Sequence, residues 1–115
     1  MENKLVQLRE MGCDMEGAMS RFLDDKEFYF ECYNKALTDD GFEKLREALE
    51  KKDARESFEY AHALKGVIAN LGLTSLLDKI SEIVEPLRFG QYEEGLMEKY
   101  EAMMQEREKY LSLVF

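Results

Sequence analysis

The side chains that could do chemistry lie in one short stretch, Ala61-His62-Ala63-Leu64-Lys65-Gly66, continuing Val67-Ile68-Ala69-Asn70-Leu71-Gly72. It holds the protein's single histidine. Imidazole titrates near neutral pH, so a neutral ring nitrogen is available as a nucleophile. On a helix, residues three and four positions apart share a side. His62 therefore has Glu59, Lys65, Gly66 and, at plus seven, Ala69 as neighbours. Phosphoryl transfer asks for little more than this: an in-line nucleophile and positive charge near the equatorial oxygens. Lys65 supplies the charge. Gly66 removes the side chain that would block a second protein's approach, and Ala69 and Glu59 border the same face as docking positions. Glu59 either holds the second imidazole nitrogen or is simply solvated.

The helix that carries the histidine must turn its other side inward. Phe58, Ala61, Leu64, Ile68 and Leu71 recur at spacings of three and four, which predicts a buried seam with His62 outside it. Asp53 with Glu56 three residues on predicts the start of this helix. Gly72 suits the left-handed position just past its end near Leu71.

The neighbouring elements follow from the same signals. Residues 4–10 form a short helical stretch that Gly12 interrupts. Asp14 caps a short helix over 15–23, and Asp24 with Glu27 caps one over about 26–37, with Tyr29, Cys32, Tyr33, Ala36 and Leu37 on one side. Thr38-Asp39-Asp40-Gly41 predicts a break. A helix over 41–52 buries Phe42, Leu45 and Leu49, and its short link to the histidine helix makes the two antiparallel neighbours. Thr74 or Ser75 caps the next helix, with Asp78 in its first turn. Leu76, Ile80, Ile83 and Leu87 line that helix, and Pro86 kinks or ends it. After Gly90 a last helix runs from about Tyr92 to Leu113. It buries some of Leu96, Met97, Tyr100, Met103, Met104, Leu111 and Val114, as core rather than as a cofactor box. No strand-like alternation and no internal repeat occur. The predicted fold is all-α: an antiparallel up-down-up-down four-helix bundle over about 41–113, with short amino-terminal helices (1–37) packed alongside.

The totals agree. A chain of 115 residues, 45% hydrophobic and 36% charged, suits one globular domain. A net charge of −9 disfavours nucleic acid and anionic lipid as partners. Cys13 and Cys32 lack metal-ligand spacing and permit a disulfide without implying one. With no signal peptide and no apolar run of spanning length, the expected compartment is the reducing cytoplasm.

The string Ala61-His62-Ala63-Leu64-Lys65-Gly66, followed by Leu71-Gly72-Leu73, resembles the motif of histidine-containing phosphotransfer (HPt) domains. Gly12-Cys13-Asp14, Ala18, Arg21-Phe22-Leu23-Asp24-Asp25 and Phe28-Tyr29 resemble the lead-in of these domains. Leu45, Leu49 and Asp53 fit the approach to the histidine. The resemblance covers about residues 11–90, and the last helix adds only general periodicity. It implies a helical bundle whose exposed histidine takes a phosphoryl group from a receiver-domain aspartate and hands it to another receiver. His62 would be the phosphoacceptor, Lys65 the electrostatic partner of the phosphoryl group, Gly66 the docking clearance and Gly72 a structural turn. The implied partners are response-regulator receiver domains, a hybrid histidine kinase being one carrier of such a domain. Magnesium would sit on the receiver, with no cofactor on this chain, and the domain would act as a monomer. Two positions depart from the pattern: Val67, where many members have a small or hydroxyl residue, and Val84, near which some place a polar amide.

Other chemistries fare worse. Glu59-x-x-His62 has the spacing of di-iron carboxylate bundles, but those need two such pairs and the chain has one histidine. A non-phosphorylated HPt-like interaction module would be expected to lose the histidine or the lysine, and both are present. A triad hydrolase lacks a nucleophile elbow. An autokinase lacks a Gly-rich nucleotide-binding segment and room for an ATP-binding domain.

Overall fold

The computed structural model describes residues 2–113. Helices account for all regular structure among them: α1 (Glu2–Glu10), α2 (Met15–Arg21), α3 (Lys26–Leu37), α4 (Gly41–Glu50), α5 (Ala54–Asn70), α6 (Thr74–Leu87) and α7 (Leu96–Leu111). The molecule is elongated, 42 × 23 × 22 Å. Helix α5 packs on α4 and α6, α6 packs on α7, and α7 returns onto α4. Helix α3 lies against α5 and α7, and α1 against α2. No helix among the described residues is long and apolar enough to cross a membrane.

Local chemistry explains where these helices start. Carboxylates of Asp14, Asp25 and Asp53 each accept a backbone N–H three residues on, from Gly17, Phe28 and Glu56, all at 3.0 Å. Each satisfies a donor that the first helical turn leaves open. The cap of α3 is thus Asp25 rather than Asp24. Leu23 and Asp24 both adopt left-handed backbone (φ 54° and 60°), so the turn takes one residue more before the helix begins. Helix α6 starts at Thr74 with Leu73 before it and no side-chain cap. The Ser75 hydroxyl is instead spent on Glu106 and Tyr110 of α7. Helix α7 begins at Leu96 rather than near Tyr92, because Gly95 turns the chain with φ 90°. Pro86 falls in the last turn of α6, which ends one residue later.

The core is built from the expected stripes, with two changes. Ala61, Leu64 and Ile68 of α5 and Leu71 just past its end are buried, but Ser57 holds the seam position where Phe58 was expected. Phe58 lies four residues before His62, only about 40° around the helix from it, and is half-buried on the histidine's side. Tyr110 is fully buried, whereas periodicity had favoured its neighbours on α7. Its hydroxyl takes the Cys13 thiol and the Ser75 hydroxyl as partners, and its carbonyl accepts from Tyr33 at 2.7 Å. Both cysteines are free thiols. Val114 lies outside the described residues.

Candidate functional site around His62

Helix α5 is held at both ends. Its start rests on the Asp53 cap. At its end Gly72 takes φ 73° and closes a Schellman turn, its N–H donating to the Ala69 carbonyl and that of Leu73 to the Ile68 carbonyl. A Cβ at Gly72 would come within 2.5 Å of the Asp14 carbonyl oxygen, so glycine is required twice over. The amino-terminal segment grips the same end. Asp14 N–H donates to the Gly72 carbonyl at 2.9 Å, and Tyr29 Oη donates to the Leu71 carbonyl at 2.7 Å. Arg21 donates to the Asn70 and Ala69 carbonyls at 3.0 and 3.1 Å. These satisfy carbonyls that a helix end leaves open.

His62 projects from the middle of this fixed helix into solvent. Among the described residues no hydrogen bond or ion pair engages the imidazole. Its ring stacks on Phe58, with centroids 5.3 Å apart and planes 20° from parallel. This aromatic contact supports one face of a ring that is otherwise exposed.

Lys65, one turn on, is half-buried, and its ammonium lies 3.6 Å from the Glu85 carboxylate of α6. Glu85 also accepts from Arg88 at 2.8 and 3.3 Å. The Arg88 hydrogen bond first, then the charges of Arg88 and Lys65, hold the Glu85 carboxyl below the usual carboxylate range. The Arg88 guanidinium in turn lies 5.8 Å from the centre of the Phe58 ring. Arg88, just past the end of α6, thus links the Lys65–Glu85 pair to the stacked rings of Phe58 and His62.

Gly66 is exposed, and a Cβ added there would meet nothing within 4 Å. Ala63 and Val67 extend this open surface along α5. Ala69 is half-buried and its carbonyl is committed to Arg21. Glu59 faces solvent and pairs with Arg55 at 3.3 Å rather than with the imidazole. Val84 is fully buried, so that position offers no polar group to the histidine. Among the described residues no group of three or more His, Cys, Asp or Glu side chains is placed to hold a metal ion.

A family model for the Hpt domain matches residues 36–111, from the last two residues of α3 through α7. The chain belongs to the Hpt domain family. No curated protein and no solved structure matches it. Hpt domains are phosphocarriers of two-component signalling that interact with receiver domains. The match takes in α7, which contributed only periodicity to the sequence resemblance, and leaves out α1, α2 and most of α3.

Sequence reasoning had brought His62, Lys65 and Gly66 of this Hpt domain together on one helix face. It missed Phe58, Glu85 and Arg88. The signals were present: an aromatic four residues before the histidine, and an acid–base pair three residues apart at the end of α6.

Proposed function

We propose that this Hpt domain is a phosphorelay intermediate, displaying His62 from an up-down-up-down bundle and acting as a monomer in the cytoplasm. A neutral imidazole nitrogen attacks the phosphorus of a receiver's aspartyl phosphate. The N–P bond forms as the P–O bond to the aspartate breaks, and the carboxylate leaves with the bonding electrons. The second ring nitrogen's proton can pass to solvent. In the onward step the ring takes a proton back from solvent, a second receiver's aspartate carboxylate attacks the phosphorus, and neutral imidazole leaves as the N–P bond breaks. Lys65 balances charge on the phosphoryl oxygens, and Gly66 with Ala69 lets the receiver close over the ring. Magnesium belongs to the receiver in this scheme, and the chain needs no cofactor of its own.

The observation that carries the reading is the exposed, otherwise unengaged imidazole above a glycine whose missing side chain serves no internal contact. Incubation with ATP alone should leave the protein unlabelled. A phosphorylated receiver should label it with an acid-labile, base-stable phosphate, and His62→Gln should abolish the label with the fold intact. Label persisting in that variant would refute the assignment.

A further inference from the structure

The cation next to His62 is already occupied. Lys65 contacts the Glu85 carboxylate at 3.6 Å, and Arg88 holds the same carboxylate at 2.8 Å. We propose that Glu85 is a resident counter-anion that a phosphoryl group on His62 must displace, so that Glu85 sets how far the transfer equilibrium favours the phosphorylated domain. The proposal rests on the relay reading of His62.

The chemistry of the exchange is one anion for another. A carboxylate brings one negative charge and two acceptor oxygens. A phosphoryl group brings about −1.5 to −2 and three oxygens, so it is the stronger ligand for the same ammonium. Glu85 is placed to give way, because its side chain is 58% exposed, the most open of the three charged partners. The displacement still has an energetic cost, since the ion pair is lost and the expelled carboxylate stays near a dianion. Both effects oppose phosphorylation of His62. Both vanish when Glu85 becomes a neutral amide. The bracing of Arg88 against the Phe58 ring keeps this guanidinium beside the site when the carboxylate leaves.

The test compares the wild-type domain with Glu85→Gln and Glu85→Asp at low salt, where surface charges are least screened. Inorganic phosphate is titrated into each and followed through the backbone amides of Lys65, Gly66 and Arg88. In parallel, the equilibrium split of label between the domain and a phosphorylated receiver is measured. Glu85→Gln should bind phosphate more tightly and shift the label toward His62, each by about two- to fivefold, the range of exposed ion pairs. Glu85→Asp keeps the charge and should stay close to wild type. A merely structural role would not sort the variants by charge, nor would its effect fade in high salt.

Adding Lys65→Ala to Glu85→Gln should cancel the gain in phosphate binding. Equal phosphate affinity in wild type and Glu85→Gln would overturn the proposal, whatever the receiver does. If no receiver labels wild type yet the amide variant gains phosphate affinity, the relay reading falls and takes the effect of Glu85 on transfer with it, while Glu85 remains the counter-anion of Lys65.

Discussion

Gly66 weakens the helix it sits in. A mid-helix glycine costs roughly 1 kcal/mol relative to alanine, and here no neighbour demands one, because a Cβ would point into open space. Gly66→Ala should therefore stabilise the domain by about 0.5–1 kcal/mol in denaturant unfolding. The same change should weaken receiver binding, and a bulkier residue should weaken it further. Unchanged receiver affinity with a bulky side chain at this position would remove the clearance argument. His62, Lys65 and Gly66 were legible from spacing alone, because three- and four-residue steps place them on one side of any helix. The pairing of Lys65 with Glu85 was not legible, since it depends on how α6 packs beside α5. Phe58 was misjudged for a related reason: its apolar character suited the seam, but its angle around the helix matched His62.

At the level of elements, the two glycines of the histidine motif play opposite parts. Gly72 stands with positive φ and within 2.5 Å of a backbone oxygen if given a Cβ, so Gly72→Ala should destabilise the domain by about 2 kcal/mol or more. Equilibrium unfolding with urea measures this, and a loss under half a kcal/mol would contradict the role of the turn. Helix starts at Asp14 and Asp53 were readable because carboxylate caps have a local signature. The Asp25 cap and the late start of α7 were not. Both depend on left-handed residues: a side-chain pattern does not report backbone handedness at Leu23 and Asp24, and Gly95 lies inside a stretch whose apolar spacing alone favours an earlier start. Thr74 or Ser75 suits a cap by its hydroxyl, yet Leu73 takes that place and α7 offers the Ser75 hydroxyl Glu106 and Tyr110.

Across the whole molecule, buried phenols bind the segments together. Burial raises Tyr29, Tyr33, Tyr100 and Tyr110 above the ordinary tyrosine range. The folded state thus keeps protons that the unfolded chain releases near pH 10. Stability is fully present below that pH and is lost as pH rises above it. Unfolding in urea across pH 8 to about 11.5 should show a falling midpoint, with phenolate absorbance rising together with unfolding. A flat midpoint would rule out this contribution. The all-helical character and the core stripes of α4, α5 and α6 were legible because amphipathic periodicity is strong there. Tyr110 escaped because its partners come from α2's approach, α3 and α6, contacts that no single helix reveals.

One consequence concerns the hydrogen bonds from Asp14, Arg21 and Tyr29 to the final residues of α5. All three donors lie ahead of the region that the family pattern spans. A shortened protein trimmed to that pattern would retain every side chain around the imidazole and lose the clasp that stops its helix from unwinding. The boundary drawn by common ancestry and the boundary drawn by mechanical integrity differ here by some twenty residues.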